Sequence, residues 1–110
     1  RTYADLFTYA VAVLGRDNKH NDWVNAYYSK CMLYQAQAYS SVFYLRGGLF
    51  PVEVDLIRGS NHHYSKMIDL TMIEYTQQMT APGKLTFINT ANINDRVDII
   101  QQQVYTIANL

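Results

Sequence analysis

Three histidines, one cysteine and a few paired carboxylates are the side chains with which this chain of 110 residues could do chemistry. His62 and His63 are neighbours. On a helix, adjacent side chains point about 100° apart, a poor geometry for gripping one metal ion. His20 stands alone, and no Glu-x-x-His spacing or His/Cys cluster appears. The histidines therefore read as solvated residues. Cys31 sits between Lys30 and Met32 in a long, largely apolar stretch. A reactive thiol needs an exposed, electropositive setting, so Cys31 reads as a buried structural residue. Glu53 with Asp55, and Asp95 with Asp98, fall where helices should begin. Negative charge is favourable there because of the helix dipole, which gives both pairs a structural role ahead of an acid/base one. Gly47-Gly48 has neither the preceding strand nor the Lys-Ser/Thr of a phosphate loop. The expectation is no catalytic residue, no metal, no cofactor and no enzyme.

The charge balance narrows the partners. Nine basic and nine acidic residues cancel, and the basic ones are scattered from Arg1 to Arg96 without forming a patch. Nucleic acid and anionic membranes are poor candidates for such a surface. No apolar run approaches the ~18 residues of a membrane span, so direct membrane insertion is not expected. A single cysteine and the absence of an Asn-x-Ser/Thr acceptor fit a reducing, cytoplasmic setting. Charged residues make up only 16% of the chain, against a usual quarter. Either a partner or a second copy covers part of the surface, or Gln, Asn, Ser and Tyr solvate it instead.

The elements that must carry these residues are helical in pattern. Leu6, Phe7, Ala10, Val11, Val13 and Leu14 recur at three- and four-residue steps, which predicts a helix over 2–14. Gly15 follows as a C-terminal residue suited to the left-handed conformation. The next stretch, Asn21 to Arg46, predicts one long helix of about 25 residues, about 38 Å at 1.5 Å per residue. It has two apolar rows, so it should pack on more than one neighbour. The first row runs Val24, Tyr27, Cys31, Tyr34, Ala38, Val42 and Leu45; the second runs Tyr28, Met32, Gln35, Tyr39 and Phe43. A third helix is predicted from Pro51 to Met79, weakened at Gly59-Ser60-Asn61 and ended by Ala81-Pro82-Gly83. Lys84 to Ile88 alternates like a short strand, but with no pairing partner in view an extended segment is favoured. Val97, Ile100, Val104, Ile107 and Leu110 then form a narrow seam on a terminal helix capped by Asn94 or Asp95. The fold expected is all-α, three long helices and a C-terminal one in antiparallel hairpins. Residues 1–110 form a single helical domain or, since the chain begins at Arg1 and not Met, a fragment of a larger one.

Asp22-Trp23, Lys30, Ala36-x-Ala38-Tyr39 and Phe50-Pro51-Val52-Glu53-Val54-Asp55-Leu56 together resemble part of a Bro domain, the helical module of Alix-type scaffolds of the ESCRT membrane-remodelling machinery. That family has Gly where Pro51 stands and a turn about two residues longer, and the similar region covers residues 22–56. The resemblance implies a scaffold that receives an amphipathic helix from a partner. No binding residue of the family maps onto the matched stretch.

Ten tyrosines remain, five of them between Tyr27 and Tyr44. Tyr is enriched at interfaces because it buries a rigid ring and keeps a hydroxyl for a partner. The same property suits half-buried helix–helix contacts with the hydroxyl reaching water. The functional expectation is a protein–protein interaction or scaffold module that binds a partner helix through Tyr28, Met32, Tyr39 and Phe43. The alternative is a structural subunit of a viral, phage or other oligomeric assembly, self-associating through the seam from Val97 to Leu110.

Overall fold

The structure, a computed structural model, describes residues 2–45 and 62–109. These residues are mostly helical, with four α-helices and a small sheet of two strands. In chain order they are α1 (Tyr3–Leu14), α2 (Asn21–Ala38), β1 (Val42–Leu45), α3 (His62–Met79), β2 (Leu85–Ile88) and α4 (Ile93–Ala108), with short 3₁₀ turns at Asn18–His20 and Pro82–Lys84.

Helix α1 forms where the periodicity places it. Its N-cap is Thr2, whose hydroxyl accepts the Asp5 N–H at 3.1 Å. Gly15 ends the helix, though not in the left-handed conformation, because its φ is −85°. Glycine is needed there for a different reason: a Cβ would lie 2.6 Å from the Val11 carbonyl oxygen.

The long helix expected over 21–46 is the main correction. Helix α2 stops at Ala38 after 18 residues, and Tyr39 is already extended, with φ −121° and ψ 130°. Ser40 and Ser41 compete with helical hydrogen bonding through their hydroxyls. The β-branched and aromatic run Val42-Phe43-Tyr44-Leu45 then pairs as a strand. Its partner is Leu85 to Ile88, in parallel register with Val42 opposite Leu85 and Leu45 opposite Ile88. The extended segment expected over 84–88 is thus a strand, and the fold is helical with a small parallel sheet, not purely α. Parallel strands need a crossover between them, and α3 lies in that connection. The predicted start of the third helix, Pro51, and its weak point at Gly59-Ser60-Asn61 lie outside the described residues.

Helices α1, α2 and α3 pack on one another. At their junction Phe7, only 2% exposed, meets three tyrosine rings. Tyr75 stands perpendicular to it at 4.8 Å between centroids, with Tyr28 at 5.3 Å and Tyr27 at 5.9 Å. Edge-on contacts of this kind add to the value of burial because ring edges and faces carry opposite partial charge. Ala4, Cys31 and Met79 complete this cluster. The Tyr28 hydroxyl reaches the exposed side, where it donates to Gln78 Oε1 at 2.8 Å.

One polar residue holds the three helices in position. Gln35 is 2% exposed. Its Oε1 accepts the Ala4 N–H at 2.9 Å, and its Nε2 donates to Thr80 Oγ1 at 2.8 Å. Ala4 lies in the first turn of α1, where the backbone N–H has no partner within the helix. The side chain of α2 therefore satisfies a buried donor of α1 and reaches the residue that follows α3. Gln35→Ala should cost about 2–4 kcal/mol, because it opens a cavity and strips a buried N–H of its acceptor. Met32→Ala, on the exposed side of the same helix, should cost under about 1 kcal/mol. Urea unfolding of the two variants checks both values.

Candidate interaction surface

Helix α4 differs from the other three in burying no residue fully. Its start is well defined. Asn92 is the N-cap and accepts the Asp95 N–H at 3.1 Å, two residues before the Asn94 expected from sequence. Thr90 Oγ1 accepts the Asn92 N–H at 3.2 Å, and Arg96 Nε donates to the Thr90 carbonyl at 2.7 Å. Asp95 in the first turn matches the dipole. From this entry the helix leans on β2, with Ile99, Ile100, Gln103 and Ile107 half-buried.

The apolar seam is only partly covered by that contact. Ile93, Val97, Ile100, Val104 and Ile107 follow one another at steps of four and three, so they share one side of the helix. Ile93 is 71% exposed, Val97 44% and Val104 52%. This side of α4 combines helical periodicity with unburied apolar side chains, as do Leu6, Tyr9 and Val13 on α1 and Tyr64, Met67 and Leu70 on α3. Leu110, the last residue of the predicted seam, lies outside the described residues.

The four residues expected to bind a partner are not brought together on one helical face. Tyr28 is half-buried in the Phe7 cluster. Met32 lies on the exposed side of α2. Tyr39 has left the helix and lies 6.1 Å from the Tyr3 ring. Phe43 is on β1 opposite Thr86, across the sheet from the buried Val42 and Tyr44. The second apolar row assumed a helix continuous through residue 43. The buried side of α2 instead lies between the two rows, with Cys31 and Gln35 innermost and Val24, Tyr27 and Tyr28 beside them.

The groups with chemical potential are dispersed. His62 and His63 are exposed in the first turn of α3, and His20 lies in the turn before α2. Among the described residues no three of His, Cys, Asp and Glu gather to hold a metal ion. A cleft of about 410 Å³ between α1, β1 and α3 is lined by Thr2, Asp5, Phe43, Tyr44, Ser65 and Asp69, among others. Its lining has neither histidine nor cysteine. The Tyr44 hydroxyl within it donates to Asp69 Oδ1 at 2.9 Å. Among the described residues no helix is long and apolar enough to cross a membrane.

Cys31 is 1% exposed, in the apolar cluster beside Phe7 and Met79. Burial pushes its thiol pKa up, with the Tyr27 hydroxyl pulling partly the other way. The Tyr27 phenol is also pushed up, by burial first and then by its proximity to Cys31. Both groups hold their protons longer in the folded chain than in the unfolded one. Stability should therefore hold at neutral pH and fall once the pH passes the ordinary thiol value of about 8.5, where the unfolded chain ionises first. Urea midpoints measured from neutral to alkaline pH should show this decline, and Cys31→Ala should flatten its first part. The native thiol should react with a disulfide reagent far more slowly than the denatured one.

Within the resemblance to a Bro domain, Asp22-Trp23 does open a helix, α2, while Phe50 to Leu56 lies outside the described residues. Compared with models of known protein families, with curated proteins and with solved structures, the chain finds no match.

Proposed function

We propose that this chain is a protein–protein interaction module, and that the element it offers to a partner is helix α4. The observation that carries this reading is the exposure of Ile93, Val97 and Val104 on one side of a helix with no buried residue. A helix of 16 residues is marginal in water on propensity alone, and most helical stability comes from packing an apolar face. A seam at three- and four-residue steps is the pattern that docks against another helix. The partner class is thus an amphipathic helix, as the sequence suggested, engaged by α4 and not by a row on α2. A role in an ESCRT-like assembly rests on the resemblance over residues 22–56 alone. Membership of a larger oligomeric assembly rests on the same seam and on the low charge of the chain.

The double variant Val97→Asp/Val104→Asp tests the reading. Exposed positions tolerate substitution within about 0.5 kcal/mol each, so its urea midpoint should stay near that of the parent. Fluorescence anisotropy with a labelled synthetic helix bearing a leucine heptad seam should show binding to the parent and at least about tenfold weaker binding to the variant. Equal binding by the two chains, or unfolding of the variant, overturns the assignment.

A further inference from the structure

We infer that the outer edge of β1 binds an extended, basic segment of a partner protein, which would add a third strand to the sheet. The cleft between α1, β1 and α3 is lined by all four residues of β1, Val42 to Leu45. Successive side chains of a strand point to opposite faces of its sheet. A cavity over one face would therefore meet alternate residues, whereas one that meets four in a row runs along the edge. No residue of β2 lines it, so this edge is the one turned away from β2. Asp5 near the start of α1 and Ser65 and Asp69 of α3 contribute to the facing walls. Among the described residues β1 pairs with β2 alone.

The composition of β1 suits a strand paired on both sides. Natural sheets blunt an open edge with charge or proline. Val42-Phe43-Tyr44-Leu45 has neither, and it reads as the continuous apolar run of an inner parallel strand. Two strands are also the lower limit for a sheet. An extended segment laid along the cleft would supply the missing neighbour through main-chain hydrogen bonds, the mode in which peptides extend an exposed edge. Matched to β1, it would be about 13 Å long at 3.3 Å per residue. A helix has its main-chain groups already paired and cannot use this edge, so the site is separate from the seam on α4 and does not depend on it. The lining sets the side chains that fit. It holds two carboxylates, Asp5 and Asp69, and among the described residues neither Lys, Arg nor His. The Tyr44 hydroxyl donates to Asp69 Oδ1 and steadies that carboxylate at the wall. Lys or Arg of the incoming segment complements both charges, whereas an acidic segment is repelled.

So short a ladder is a small interface, and binding should be weak and reversible, with Kd on the order of 0.1–1 mM. The probe is the peptide acetyl-Val-Lys-Val-Lys-Val-amide, titrated into the full isotope-labelled chain and followed by NMR. The amide resonances of Val42 to Leu45 should shift and saturate. The same peptide N-methylated throughout cannot donate main-chain hydrogen bonds and should bind at least about tenfold more weakly. The peptide with Glu in place of Lys should weaken similarly. Asp5→Asn/Asp69→Asn keeps the shape of both side chains and an acceptor for Tyr44, and should lower affinity for the basic peptide about tenfold. If that variant unfolds, the two altered peptides still decide. No shift at Val42 to Leu45 up to about 5 mM peptide overturns the inference, as does equal binding of the N-methylated or the acidic peptide. Shifts of the same amides on concentrating the chain alone would give the edge to a second copy and overturn the basic-segment assignment.

Discussion

Everything in the helical body depends on one buried amide. Gln35 accepts from the first turn of α1 and donates to Thr80 just past α3. A buried donor without a partner costs more than most hydrogen bonds return, so this pairing restricts the alternatives more than it adds stability. With α1 fixed against α2 at Ala4, Phe7 falls one turn further on, among Tyr27, Tyr28 and Tyr75. With Thr80 fixed, the chain leaves α3 toward the Pro82–Lys84 turn and into β2. The aromatic cluster supplies the apolar burial, and the amide fixes the single arrangement in which it is collected.

The parts of the fold legible in the sequence are those governed by local rules. The start and stop of α1 and the stop of α3 follow from apolar periodicity, Gly15 and the Ala81-Pro82-Gly83 break. The end of α2 was missed because Val42, Phe43 and Leu45 continue a plausible helical spacing past Ser40-Ser41. The signal available was the pair of serines followed by four β-favouring residues, but its meaning depends on Leu85 to Ile88, far along the chain. A pairing partner that distant leaves no mark on local pattern. Gln35 was legible only as a member of an apolar row, and its role appears only once Ala4 and Thr80 are adjacent. The four residues expected to share one face are separated because α2 ends at Ala38, whereas the seam on α4 was visible because it lies within one uninterrupted helix.

The scarcity of charge, 16% of residues, has two sources in the structure. Half-buried tyrosines such as Tyr28 keep the ring inside and the hydroxyl at the surface, where it meets Gln78. These need no ionised group to meet water. On α4 the uncharged residues include apolar side chains left facing outward, which no hydroxyl solvates. The two explanations for low charge are thus divided between different parts of one molecule, a self-solvating aromatic body and a helix whose apolar side is unfinished.

The parallel pairing of β1 with β2 also bears on how the chain reaches its native state. Val42 and Leu85 are 43 residues apart in sequence (85 − 42), and the ladder between the strands is only four residues long. Bringing these ends together costs loop entropy before any ladder contact offsets it. Helices form from neighbours within microseconds, whereas contacts of long sequence separation slow folding. The helices should therefore be present, and the Phe7 cluster largely assembled, before the strands close. The orientation of α4 would be set last, since its main contact with the body is with β2. Until that closure α4 would lack its contact with β2, so the two-strand sheet would act as the latch that sets its position.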